Sequence, residues 1–67
     1  PFFFRVVRAA FAQRRKTAVN SIANTLGRSK QAVAAAFDAA GVPQNARAEA
    51  LTLEDFAALT AGLLQEK

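Results

Sequence analysis

The sequence predicts an all-α fold, a small bundle of about four short helices with a helix-turn-helix-like hairpin in its middle. Three observations carry this expectation: an Ala-rich composition with almost no β-branched runs, apolar residues that recur at helical spacing, and Gly, Ser, Thr and Pro placed where helices start and stop. With 67 residues there is room for one domain, residues 1–67, and a chain this short buries only about 60% of the surface that it exposes unfolded. Its 52% hydrophobic residues supply a core and its 21% charged residues argue against disorder.

In the first segment Phe4, Val7 and Phe11 share one face at i, i+3 and i+7, which predicts the buried stripe. Arg5, Arg8, Ala12 and Arg15 follow the same rhythm on another face, turned to solvent or phosphate. The second segment carries Val19, Ile22 and Leu26 on one face and stops at Gly27, a residue suited to the left-handed position after a helix. The pattern leaves open whether these two segments form one kinked helix or two.

Ser29 is placed to cap a third helix of about three turns. Its buried face is marked by Val33, Phe37 and Ala40, and Gly41 and Pro43 end it. From Val42 to Leu51 no period is sustained, so a loop with at most a short turn of helix is expected. Thr52 opens the last helix. Its hydroxyl is placed to accept from the amide of Asp55, whose carboxylate reaches back in a capping box, and Glu54 and Asp55 suit the helix dipole. Leu53, Phe56 and Leu63 are expected to face inward, with Ala57 and Thr60 also placed on that side. The Phe residues within the apolar stripes are expected in the core; Phe2 and Phe3 are open between core and base-stacking roles.

Charge is divided unevenly. Residues 1–30 hold seven cations (Arg5, Arg8, Arg14, Arg15, Lys16, Arg28 and Lys30) and no acid, a balance of +7. Residues 31–67 hold Arg47 and Lys67 against Asp38, Glu49, Glu54, Asp55 and Glu66, two cations against five acids, a balance of −3 that brings the total to +4. A basic half this free of acids points to phosphate contact, because each Lys or Arg that neutralises a phosphate releases condensed counterion. The rival reading is a solvated basic face. With no Cys and no His, the chain has no disulfide framework, no thiolate zinc site and no imidazole base, so catalysis by this chain alone is not expected. The Phe-rich start gives way at once to Arg5 and Arg8, unlike a signal peptide, and no apolar run approaches the roughly 20 residues of a membrane span. A cytoplasmic protein without a membrane partner is expected.

The densest donor cluster is Phe11-Ala-Gln-Arg-Arg-Lys-Thr17 followed by Asn20. Read as helix, Arg14, Arg15 and Lys16 would each be turned about 100° from the one before and could not all point one way. Arg15, on the Arg5/Arg8 stripe, is then the preferred phosphate ligand, whereas Arg14 is free to pair with an acid such as Glu49. A second pattern, Ile22 to Val33 running on to Phe37, has helix-turn-helix spacing, with Ala in the first helix, Gly in the turn and Ser opening the second. Its would-be recognition helix offers Lys30 and Gln31 and then Ala34, Ala35 and Ala36, which is poor chemistry for reading base edges.

Residues 3–17, Phe-Phe-Arg-Val-Val-Arg-Ala-Ala-Phe-Ala-Gln-Arg-Arg-Lys-Thr, with Asn20, form one block. Asn45-Ala-Arg-Ala-Glu-Ala-Leu-Thr-Leu-Glu-Asp-Phe56-Ala-Ala-Leu59 forms a second. In their order and separation these blocks resemble the C-terminal domain of the bacterial small-subunit rRNA adenine dimethyltransferases, and they span nearly the whole chain. The resemblance implies a parent enzyme of small-subunit biogenesis whose N-terminal Rossmann-like domain binds S-adenosylmethionine and dimethylates two adjacent adenines near the 3′ end of the rRNA. It implies that the helical domain lies beside the catalytic one and adds basic surface for docking on the pre-ribosomal small subunit. Arg14, Arg15, Lys16, Asn20, Arg47 and Glu49 carry over as motif positions. No Gly-rich cofactor loop and no Asn-Leu/Ile-Pro-Tyr-like motif for the flipped adenine occurs here, so base-flipping chemistry and the cofactor site are expected outside this fragment. Pro1, opening directly onto a helix, reads as a boundary with that missing domain. Phosphate contacts are therefore expected from Arg5, Arg8, Arg14, Arg15, Lys16, Arg28 and Lys30. A helix-turn-helix DNA-binding domain and a purely structural interdomain packing module are the rival functions.

Overall fold

The computed structural model describes residues 1–65; Glu66 and Lys67, counted in the charge balance above, lie outside them. Four α-helices follow in order: α1 (Phe2–Phe11), α2 (Ala18–Leu26), α3 (Lys30–Ala40) and α4 (Leu53–Gln65), with a 3₁₀ turn at Ala48–Ala50 before α4. The all-α expectation holds, and the first two segments are separate helices.

Most of the punctuation is where the residue types place it. Ser29 Oγ accepts from the N–H of Ala32 at 3.1 Å and caps α3. Gly27 and Gly41 close α2 and α3 in the left-handed conformation at φ 68° and 74°, where a Cβ is strained. At the start of α4 the capping box is closed in both directions: the N–H of Asp55 donates to Thr52 Oγ1 at 3.1 Å, and the N–H of Thr52 donates to Asp55 Oδ2 at 3.0 Å. Thr17 also caps a helix, accepting from the N–H of Asn20 at 3.3 Å at the head of α2.

The core gathers Val6, Ala9 and Ala10 of α1, Val19 and Ile22 of α2, Val33 and Phe37 of α3, and Phe56, Leu59 and Leu63 of α4. The helices α1 and α4 run antiparallel. Phe11 lies with its ring centroid 6.2 Å from that of Phe56 at one end, and Arg28 touches both Phe2 and Leu63 at the other.

Two expected faces need correction. Helix α1 buries Val6, Ala9 and Ala10, while Phe4 is 62% and Phe11 44% exposed and Val7 is half-buried. The stripe is rotated toward the alanines because small side chains let α1 approach its neighbours closely, where three bulky residues would hold it away. In α4 the buried set is Phe56, Leu59, Thr60 and Leu63, a clean i, i+3, i+4, i+7 stripe. Leu53, 76% exposed, belongs to the first turn and sits beyond the end of the core, and Ala57 falls to solvent one step round the helix. Thr60 is accommodated in the core because its hydroxyl donates to the carbonyl of Phe56 at 2.7 Å. In α3, Ala40 packs only partly buried against the core and Ala36 is the more deeply buried.

Candidate nucleic-acid interface

Helix α1 stops at Phe11, so Arg14, Arg15 and Lys16 do not lie on it. This corrects the expectation of a helical spread and removes Arg15 from the Arg5/Arg8 stripe. The physical cause is a set of bonds that competes with helix continuation. The amide of Gln13 donates to Ser21 Oγ at 3.0 Å instead of to a carbonyl of its own helix, and Ser21 Oγ–H donates to the carbonyl of Ala9. Asn24 Nδ2 then donates to Gln13 Oε1 at 3.1 Å.

Beyond Gln13 the chain makes a tight turn, with the N–H of Lys16 donating to the carbonyl of Gln13 at 2.9 Å. Arg14 and Arg15 are its two central residues, and all three cations are exposed. Thr17 follows at once as the cap of α2. A three-cation turn is thus anchored on both sides by hydrogen bonds to α2, so its side chains are free while its backbone is held. None of the three makes a side-chain hydrogen bond to another described residue. Among the described residues Arg14 and Glu49 are likewise unbonded to each other, although both border the same cleft.

The second motif block folds back onto this turn. The N–H of Ala18 donates to the carbonyl of Ala46 at 2.9 Å, which sets exposed Arg47 beside the end of the basic turn. Asn20 is half-buried in the first turn of α2, and its backbone serves the Thr17 cap. Glu49 is exposed on the 3₁₀ turn. Arg5 and Arg8 are exposed on α1, and Lys30 is exposed at the first position of α3.

Arg28 differs from the other cations. Half-buried in the turn between α2 and α3, it donates from Nη1 to the carbonyl of Leu63 at 2.8 Å and lies 5.4 Å from the centroid of the Phe2 ring. Leu63 lies in the last turn of α4, where carbonyls lack intrahelical partners and a cation is favourable. Arg5 approaches Phe2 as well, at 5.7 Å.

Gln13 and Thr17 fall within the donor cluster, but their roles in shaping the basic turn, like Ser21 and Asn24 themselves, are not among the sequence expectations. Thr17 could have been found, being a Thr just before an apolar helical stripe. Ser21 could not, because nothing local marks a serine whose partners lie 8 and 12 residues away.

No family model matches the chain. Individual relatives do. A 63-residue stretch is 49% identical to ribosomal RNA small subunit methyltransferase A of Desulfitobacterium hafniense, covering 94% of this chain and 23% of that protein. The protein of the same description from Myxococcus xanthus is 52% identical over 91% of the chain, and that from Bacillus mycoides 41% over 98%. The chain belongs to the ribosomal RNA small subunit methyltransferase A family. It spans about a quarter of the length of the relatives that it matches, corresponding to their C-terminal part. Within that family both motif blocks, the basic turn and the segment from Asn45 to Leu59, fall in the matched stretch. Among the described residues no helix is long and apolar enough to cross a membrane.

Proposed function

We propose that this chain is the accessory domain of an rRNA adenine N6-dimethyltransferase, and that it docks the parent enzyme's catalytic domain on small-subunit rRNA through phosphate contacts. The observation that carries this reading is the basic turn. Arg14, Arg15 and Lys16 are presented together on a backbone pinned to α2, the Ala18–Ala46 backbone bond brings the segment carrying Arg47 to the end of that turn, and no acid occurs in the first 30 residues to neutralise the cluster. A preformed cationic turn loses little backbone entropy on binding, so most of the counterion release becomes affinity.

Arg5, Arg8 and Lys30 extend the same charge over α1 and the head of α3, and their contacts are to phosphate more than to bases, since structured RNA is recognised largely by shape and backbone. Arg28 has a lesser share because its guanidinium is engaged with Leu63 and Phe2. In this reading the parent enzyme acts in the cytoplasm on the pre-ribosomal small subunit and draws its methyl group from S-adenosylmethionine, bound in the N-terminal domain.

Titration of the chain with a small-subunit rRNA fragment and with duplex DNA over a series of salt concentrations tests the proposal. The expected result is tighter binding to the rRNA with a steep salt slope. Equal affinity for DNA of any sequence, or none for either at low salt, would refute it; sequence-selective DNA binding that changes at Lys30 or Gln31 would favour a helix-turn-helix function.

A further inference from the structure

Between α1 and the 3₁₀ turn lies an open cleft of about 420 Å³, lined by Ala10, Phe11, Arg14, Ala48 and Glu49. We infer that it holds one unpaired guanine base of the bound RNA, a step that rests on the RNA-docking reading and deepens it. Ala10 and Ala48, both buried, form a floor without bulk. The Phe11 ring is a wall whose exposure is otherwise unexplained: at 44% exposed it gives only part of its surface to Phe56, and the rest is free to stack on a heterocycle. The volume exceeds that of a single base, which leaves room for its sugar and for water.

The rim selects which base. Glu49 is exposed and makes no side-chain hydrogen bond to another described residue. A carboxylate accepts only, and guanine is the base that presents two adjacent donors, N1–H and the N2 amino group, on one edge. Adenine offers a single amino donor beside an acceptor nitrogen that would face the carboxylate. A carboxylate in an otherwise cationic surface weakens phosphate binding unless it is used, and here it lines the same cleft as Arg14. Arg14 supplies the opposite chemistry, reaching guanine O6 and N7 or the flanking phosphate, and Arg47, one residue before Ala48, is placed for the next phosphate along the strand. An unpaired base is required because the edge read by Glu49 is consumed in a duplex.

The test compares the pentaribonucleotides UUGUU and UUAUU on the native chain and on Glu49→Gln, by fluorescence titration at low salt and again at a higher salt concentration. The native chain is expected to bind UUGUU about tenfold more tightly, the scale of one bidentate contact. Glu49→Gln is expected to bring the two to within about twofold, with UUAUU binding unchanged or slightly tighter. Equal binding of the two oligomers to the native chain would overturn the cleft assignment; if their binding still falls with salt, the docking reading stands without it. A guanine preference that survives in Glu49→Gln would also overturn it. Guanosine 5′-monophosphate, which carries the base without its neighbours, is expected to bind at least about tenfold more weakly than UUGUU, because it offers fewer phosphates to Arg14 and Arg47. Equal or tighter binding of the mononucleotide would assign the cleft to a free nucleotide instead.

Discussion

Ser21 holds Gln13: the amide of Gln13 donates to the hydroxyl of Ser21 at 3.0 Å, and the same hydroxyl donates to the carbonyl of Ala9. One fully buried side chain thereby ends α1 and fixes the first residue of the basic turn. Ser21→Ala leaves the Gln13 amide without its partner and takes one of two donors from the Ala9 carbonyl, which keeps the N–H of Ala12 at 3.3 Å, and a loss of about 1–3 kcal/mol is expected. Denaturant melting followed by circular dichroism checks this, as a lowered midpoint at unchanged slope. A loss below about 0.5 kcal/mol would show that water replaces the hydroxyl without cost.

Arg28 joins the turn between α2 and α3 to the end of α4 through the Leu63 carbonyl. Replacing it with Met keeps the aliphatic stem and removes the donor, so Arg28→Met is expected to cost about 1–2 kcal/mol. Arg28→Lys is expected to recover only part of this, since an ammonium cannot both reach the carbonyl and stack on Phe2 in the manner of a planar guanidinium. Thermal melts of the two variants provide the comparison.

The capping box of α4 is exposed and self-contained. Thr52→Ala is expected to lower stability by about 1 kcal/mol, which for a domain of this size is roughly 4–8 °C in Tm. Asp55→Asn is expected to cost less, because the amide oxygen still accepts from Thr52 while the charge at the helix dipole is lost.

Gly62 is the glycine whose replacement should help. It lies within α4 at ordinary φ, and a Cβ there would stand 3.4 Å from the Cβ of Ala36, at the edge of ordinary van der Waals contact. Gly62→Ala is expected to stabilise by about 0.5–1 kcal/mol through helix propensity. Gly27→Ala meets no neighbour, yet its φ of 68° makes it the destabilising member of the pair, by roughly 1–2 kcal/mol.

Local chemistry made much of this legible from the residues alone. Ser29, Thr52, Gly27 and Gly41 act on groups within a few residues, so their roles could be read without a fold. The faces of α1 and α4 were only partly legible: large apolar residues attract a helical-wheel reading, whereas close packing chose Ala9 and Ala10 over Phe4 and Phe11. Leu59, outside the expected inward set, completes the stripe between Phe56 and Leu63. The basic turn has the local pattern of a helix, and its interruption depends on Ser21, a partner outside any local window. The residues suggest Arg14 and Glu49 as partners, and the structure sets both on the cleft between α1 and the 3₁₀ turn without a bond; that Phe11 lines the same cleft is visible only in the tertiary structure.

The distinction between the pinned turn and Arg28 gives the central claim its most direct test. Salt-dependent binding of the small-subunit rRNA fragment should be measured for the native chain, for Arg15→Ala/Lys16→Ala and for Arg28→Met, each checked to be folded. If the turn contacts phosphate, the double variant lowers the slope of log K against log salt by about 1 for each cation removed, whereas Arg28→Met leaves the slope near the native value despite its lower stability. A slope unchanged in the double variant would contradict the account and leave the basic residues as a solvated face.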